Sequence, residues 1–173
     1  MVKPNKTKLS DNFYFEEYFI SDNYPELAQK VYDKNKNDGE VIRKLKHHAL
    51  CITQPFREHV GDCVELDSGV RDKYLNEAVG GSSTSDHMYA IAGDMFVSKY
   101  VNDMDKMKEL FIWATKNLNY RQLIWYPQTN TKFIHGSINW AIEDKPFKRE
   151  AKVQWDGRYI LADEFFRRGY LDA

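Results

Sequence analysis

Cysteine is scarce: Cys51 and Cys63 are the only two in 173 residues. A 20.4 kDa chain needs no disulfide staple, because a single domain of this size buries roughly 70% of the surface that its unfolded form exposes. Both thiols are expected to be reduced. There is no run of about 18 apolar residues, so no membrane insertion is expected. The basic start, residues 1–12, is followed by no apolar core of a signal peptide, so synthesis in the cytoplasm is expected, with any export by another route. Repeats and low-complexity tracts are absent, and neither sign of charge dominates. With 25 Lys+Arg against 26 Asp+Glu, spread along the chain, nucleic acid is not an expected partner. A hydrophobic content of 42% excludes general disorder. Aromatic residues are plentiful, with 11 Tyr, 10 Phe and 4 Trp, a supply that suits a core and a polymer-binding cleft equally.

Residues 1–8 read as a flexible arm. The aromatic opening Phe13, Tyr14, Phe15, Tyr18 and Phe19 is too apolar to stay solvated and should dock on the core. Pro25 and Glu26–Tyr32 suggest a short helix. From Val41, the positions Leu45, Ala49, Ile52, Phe56 and Val60 recur every three or four residues, which predicts one long helix kinked by Pro55. His47, His48 and His59 on it are expected at the surface or half-buried. Gly61 stops the helix, and Cys63–Asp67 alternates as a strand does. A short helix over Asp72–Val79 is closed by Gly80-Gly81. Strands are expected at Ala92–Val97, Gln122–Tyr126 and Phe133–Ile138, and a second amphipathic helix over Met104–Leu118. Asp156-Gly157 marks a hairpin between the segments around Val153 and Tyr159. Helices first and strands mainly later predict an α+β domain with a small antiparallel sheet and flanking helices. A helix or arm over Asp163–Ala173 should dock as a terminus.

Among the polar residues, His87 and Asp94 stand apart because the segment joining them, Met-Tyr-Ala-Ile-Ala-Gly, is small or apolar. In an unbroken strand a separation of seven places two side chains on opposite faces, so they meet only where the chain turns between them. The spacing leaves two readings open, a metal site or a hydrogen-bonded structural pair. His135, on a later strand among apolar neighbours, supplies a candidate for the third ligand a metal site would need. A His/Asp/His set fits zinc with one coordination position left for water.

The stretches Ser68-Gly69-Val70-Arg71, Leu75-Asn76-Glu77-Ala78-Val79-Gly80-Gly81 and Ser85-Asp86-His87-Met88-Tyr89-Ala90-Ile91-Ala92-Gly93-Asp94, with Phe133-Ile134-His135, resemble the zinc D-Ala-D-Ala carboxypeptidase and peptidoglycan endopeptidase family, which includes phage endolysins. The resemblance spans about Leu9 to Leu161, making 9–161 the peptidase-like domain and 162–173 a tail. It implies the hedgehog-like fold of that family, zinc (Zn2+) held by His87, Asp94 and His135, and hydrolysis of peptide bonds in bacterial peptidoglycan. It further implies that Arg71 binds a substrate carboxylate or carbonyl and that Ser85 donates a hydrogen bond beside the metal. The implied partners are cell-wall peptidoglycan and other virion proteins, and the implied place of action is the bacterial wall or a phage virion.

The chain departs from the family pattern at three positions. Ala90 stands where the pattern has glycine, a harmless change unless a positive φ is needed there. Lys132 and Tyr126 occupy the two positions at which branches of the family carry a catalytic carboxylate. Tyrosine donates a proton or stabilises an oxyanion but is a poor base at neutral pH. The substitute carboxylates nearest in sequence are Asp86, Glu143 and Asp144. The alternative to a peptidase is therefore a catalytically degenerate zinc protein serving as a virion component or wall-binding module.

Overall fold

The computed structural model describes residues 6–143 and 145–171. Most of its helices begin either at an aspartate that accepts from the free backbone N–H groups or at a proline in the first turn. Helix α1 (Pro25–Asn35) opens on proline, which has no N–H to satisfy. Asp38 accepts from the N–H groups of Glu40 and Val41 at the head of α2 (Gly39–His48). The expected single helix over Val41–Val60 is in fact two. After α2, Ala49–Thr53 form one π-helical turn, in which the Gln54 N–H reaches back five residues to the Ala49 carbonyl, and α3 (Gln54–Val60) follows. Pro55 explains this. It has no N–H for the Cys51 carbonyl and its ring collides with a regular ladder, so the helix widens ahead of the proline instead of bending at it. Asp72 caps α4 (Lys73–Ala78) and Asp103 caps α5 (Met104–Asn117).

Six strands form one sheet: β1 (Glu65–Ser68), β2 (Ala92–Phe96), β3 (Gln122–Trp125), β4 (Ile134–Ser137), β5 (Glu150–Trp155) and β6 (Arg158–Leu161), in the order β1-β2-β4-β3-β5-β6. The antiparallel expectation needs one correction, because β3 and β5 pair in parallel. The β3–β4 hairpin returns the chain to the end where β3 began. Twelve residues separate the end of β4 from β5, which begins at Glu150 and lies beside β3. Asp156 and Gly157, both at positive φ, turn the β5–β6 hairpin as the sequence predicts.

Period-two alternation gives the sheet two unlike faces. One cross-strand row reads Leu66, Met95, Ile134, Trp125, Val153 and Ile160, all apolar. Its neighbour reads Ser68, Asp94, His135, Ile124, Lys152 and Leu161. The apolar face packs on the helices: Trp125 stacks on Phe111 of α5 and on Phe166 of α6 (Ala162–Arg167), while Phe165 is buried against Trp155. The aromatic opening docks there as expected, with Phe13, Phe15 and Tyr18 buried. Of the expected arm, residues 1–5 lie outside the described residues, and the Phe15 N–H donates to the Thr7 carbonyl.

His48 departs from expectation. It is wholly buried under the sheet, with Nε2 2.9 Å from the Gly136 carbonyl and Nδ1 2.9 Å from the Tyr18 hydroxyl. A carbonyl only accepts, so Nε2 carries the proton and Nδ1 accepts from Tyr18. Gly93 and Gly136, paired across β2 and β4, make this approach possible. A Cβ on Gly136 would lie 2.8 Å from Ile52, and one on Gly93 would lie 3.2 Å from the His48 ring. His47 and His59 are exposed, as expected. No helix among the described residues is long and apolar enough to cross a membrane.

Candidate metal centre

The two glycines that admit His48 on the core face adjoin, in sequence, two polar residues on the opposite face. Asp94 follows Gly93 on β2, His135 precedes Gly136 on β4, and the two are directly paired. His87 arrives from a 3-10 turn, Asp86–Tyr89. Ala90 then adopts the left-handed conformation, φ 57° and ψ 37°, which reverses the chain before β2 begins. That turn removes the obstacle of a seven-residue separation. It also means that the position where alanine replaces glycine does need a positive φ, at a cost of roughly 1–2 kcal/mol for an L-residue.

All three side chains are buried and converge. His87 Nε2 lies 3.1 Å from Asp94 Oδ1 and 3.1 Å from His135 Nδ1, and His135 Nδ1 lies 2.9 Å from Asp94 Oδ1. On the far side of its ring, His87 Nδ1 is 2.6 Å from the Gly69 carbonyl and must donate to it. Burial lowers the His87 pKa, so the ring is neutral at pH 7 and its Nε2 is a lone pair. Burial opposes ionisation of Asp94, yet its polar contacts with His135 Nδ1 at 2.9 Å and Arg71 Nη2 at 3.1 Å favour the charged form, and the carboxyl is held below its ordinary value. A lone pair thus faces a carboxylate oxygen at 3.1 Å, an arrangement that calls for a cation between them. Separations of 2.9–3.1 Å are a little shorter than the roughly 3.3 Å between donors in a tetrahedral zinc site with bonds of about 2.0–2.1 Å. The donor set fits zinc, with His87 already oriented by a backbone carbonyl.

A cleft of about 640 Å³ opens over these residues. Arg71 lines it, donating from Nη2 to Asp94 Oδ2 at 3.1 Å and from Nε to Ser68 Oγ at 2.9 Å. The arginine holds the carboxylate oxygen that faces away from the histidines. Ser85 lines the cleft half-buried, and its carbonyl accepts from the Met88 N–H in the turn that carries His87.

Tyr126 also faces the cleft, stacked on Phe133 with its hydroxyl 3.3 Å from that of Tyr159. Burial, then the hydrogen bond with Tyr159, raises its pKa well above the tyrosine range, so it stays protonated. Lys132 lies outside the cleft lining, bonded to the Val101 carbonyl. Asp86 lines the cleft but is engaged by Ser137 at 2.7 Å, Arg121 at 3.3 Å and Lys145. Burial works against its charge, and the bonds from Lys145 and Ser137 nonetheless lower its pKa. Glu143 is exposed and outside the lining, and Asp144 lies outside the described residues. Among the described residues, Asp86 and Asp94 are the two carboxylates that line the cleft.

Sequence reasoning passed over His48, Arg121, Lys145, Lys148 and Lys152. A signal existed for His48, which falls between Leu45 and Ile52 in the same three-and-four spacing that marks the buried helix face. For the lysines, the alternation Lys148-Arg149-Glu150-Ala151-Lys152 places three charges on one strand face. Arg121 carried no signal.

A family model described as Peptidase M15 matches residues 23–135, about two thirds of the chain, including His87, Asp94 and His135. No curated protein matches the chain.

Proposed function

The chain belongs to the peptidase M15 family, and from that premise we propose that it is a zinc metallopeptidase-type protein acting on peptide bonds of bacterial peptidoglycan, at the cell wall or in a phage virion. The observation that carries the reading is the convergence of two imidazole nitrogens and one carboxylate oxygen within 3.1 Å of one another. His87, Asp94 and His135 would hold the ion. Zinc bound by three protein ligands lowers the pKa of its water to about 7 and polarises a carbonyl. That the sheet and helices form the hedgehog-like fold of zinc D-Ala-D-Ala peptidases belongs to the same proposal.

Arg71 fixes Asp94 through Oδ2, which leaves Oδ1 directed at the two histidines. Its guanidinium also stands at the cleft, where spare N–H donors suit a substrate carboxylate or carbonyl. Ser85 offers a hydroxyl beside it. Tyr126, always protonated, supplies a donor to the carbonyl oxygen or leaving nitrogen of a bound peptide and removes no proton at neutral pH. Among the described residues both cleft carboxylates are engaged, so neither is a free base for the proton of an attacking water. Loss of a general base costs on the order of 10²–10⁴ in rate, and turnover is accordingly slow.

The same observation favours a second reading, a zinc-holding virion or wall-binding protein that no longer hydrolyses. Two measurements test and divide these readings. Purified protein should carry about one zinc per chain, and His87→Ala or His135→Ala should lower the affinity at least about 100-fold. Folded protein without affinity for zinc overturns both. Release of new amino termini from cell walls, compared for wild type and Tyr126→Glu, then decides: slow release by wild type supports the peptidase. Release by the variant alone supports the degenerate protein.

A further inference from the structure

Among the described residues five cations line the cleft, and three of them are held by carboxylates that line it too. Arg71 pairs with Asp94, while Arg121 and Lys145 pair with Asp86. Lys148 and Lys152 differ. Both face the cleft, and both bond to one carboxylate, Glu150, which does not line it. Lys148 Nζ lies 3.0 Å from Oε2 and Lys152 Nζ lies 3.0 Å from Oε1, with Gln122 Nε2 3.1 Å from Oε2. One acid between two bases leaves a positive charge. Each ammonium has three N–H donors and, among the described residues, gives one to Glu150, which leaves two on each for a ligand. Glu150 acts as a fixed strut: burial disfavours its charge, yet hydrogen bonds from Lys148, Lys152 and Gln122 pull its pKa down to about 2.

The position along the sheet gives this pair its meaning. Lys152 is level with Ile124, and Ile124 with His135, so Lys152 lies two strands from a metal ligand. At about 4.8 Å per strand, the two backbones stand about 10 Å apart. That is roughly the span of three extended residues. A peptide whose scissile carbonyl sits at the ligand triad therefore brings its third residue to the lysines. Both residues lie beyond 23–135, outside the part of the chain that matches the family.

We propose that Lys148 and Lys152 form a second anchoring subsite, which binds a carboxylate of the substrate peptide about three residues from the bond at the metal centre. The identification of the substrate as a wall peptide rests on the function proposed above, whereas the preference for a carboxylate does not. The subsite discriminates against peptides in which that carboxylate is amidated.

The test uses the full chain loaded with zinc and a pair of C-terminally amidated five-residue cell-wall stem peptides. One carries a free glutamate α-carboxylate and the other carries the amide in its place. Calorimetric titration at low salt should give about tenfold tighter binding of the acid. Lys148→Gln/Lys152→Gln should reduce that ratio to near one while leaving the thermal midpoint and zinc content unchanged. Equal affinity of wild type for the two peptides overturns the subsite, and so does a preference that survives in the double variant but disappears in Arg71→Gln. If wild type binds neither stem peptide, a four-residue peptide, acetyl-Gly-Gly-Gly-Glu-amide, and its Gln counterpart replace them. A preference for the Glu form that the lysines control sustains the subsite, and its absence overturns it. Zinc content, read separately, reports on the function proposed above.

Discussion

His48 makes the stability of this protein depend on pH in a calculable way. Its ring is fully buried, donating to the Gly136 carbonyl and accepting from Tyr18, and burial lowers its pKa from 6.5 to about 4. Burial likewise raises the pKa of Tyr18, so its hydroxyl remains the donor. Because the folded-state value lies below the unfolded one, the unfolded chain binds a proton between pH 6.5 and 4 that the native chain refuses. The contribution is complete above pH 6.5 and falls away as pH drops toward 4, by about 1.4 kcal/mol per unit and about 3 kcal/mol in all. Urea unfolding of chelator-treated protein at pH 7.5, 6.0, 5.0 and 4.0 reads this directly. With a denaturant slope of about 2 kcal/mol per molar, the full loss lowers the midpoint by roughly 1.5 M. His87 titrates in the same direction, so the comparison must be with His48→Gln. That variant loses about 1–3 kcal/mol at pH 7.5 through an imperfect hydrogen-bond match. Below pH 6.5 it should decline with a slope smaller by about one proton. Parallel decline of the two proteins would refute the assignment of the pH dependence to His48.

Substitutions at two further positions, Ala90 and Asp86, probe the support of the candidate metal centre. Ala90→Val puts a β-branched residue at φ 57° and should cost more than about 2 kcal/mol. Ala90→Gly trades relief of strain against a lost buried methyl group and should stay within about 1 kcal/mol of wild type, both read by thermal unfolding. Asp86→Asn leaves Arg121 and Lys145 buried without their anion, an expected loss of about 3–5 kcal/mol in chemical denaturation, accompanied by weaker zinc binding because Asp86 opens the turn that carries His87. Asp62→Asn breaks an exposed pair with Lys99 and should leave stability unchanged, serving as the control.

Several elements were legible in the sequence because their signals are local. The α5 periodicity, the Asp156-Gly157 hairpin and the alternation around His135 depend on residues near one another in the chain, and the structure contains all three. The π-turn before Pro55 was not legible as such. Proline announces that a regular ladder cannot continue, but it does not say whether the helix bends or widens, and packing of Ile52 against Gly136 bears on that choice. The parallel pairing of β3 with β5 escaped for a similar reason, since alternation identifies a strand without naming its neighbours.

At the candidate site the division is sharper. His87, Asp94 and His135 could be picked out as candidate ligands from residue type and motif, because a metal site needs particular donor atoms and few residues provide them. The sequence by itself also showed Tyr126 and Lys132 at the two positions where the family resemblance implies a carboxylate. Only the tertiary structure decided that Asp86 is engaged by Arg121, Lys145 and Ser137, that His48 lies beneath β4, and that Lys148 and Lys152 share the cleft with His87, Asp94 and His135. The physical reason is range. Donor chemistry and backbone periodicity are properties of a residue and its near neighbours, whereas charge pairing and burial are set by groups up to 88 positions away in the chain, brought together when the sheet closes over the helices.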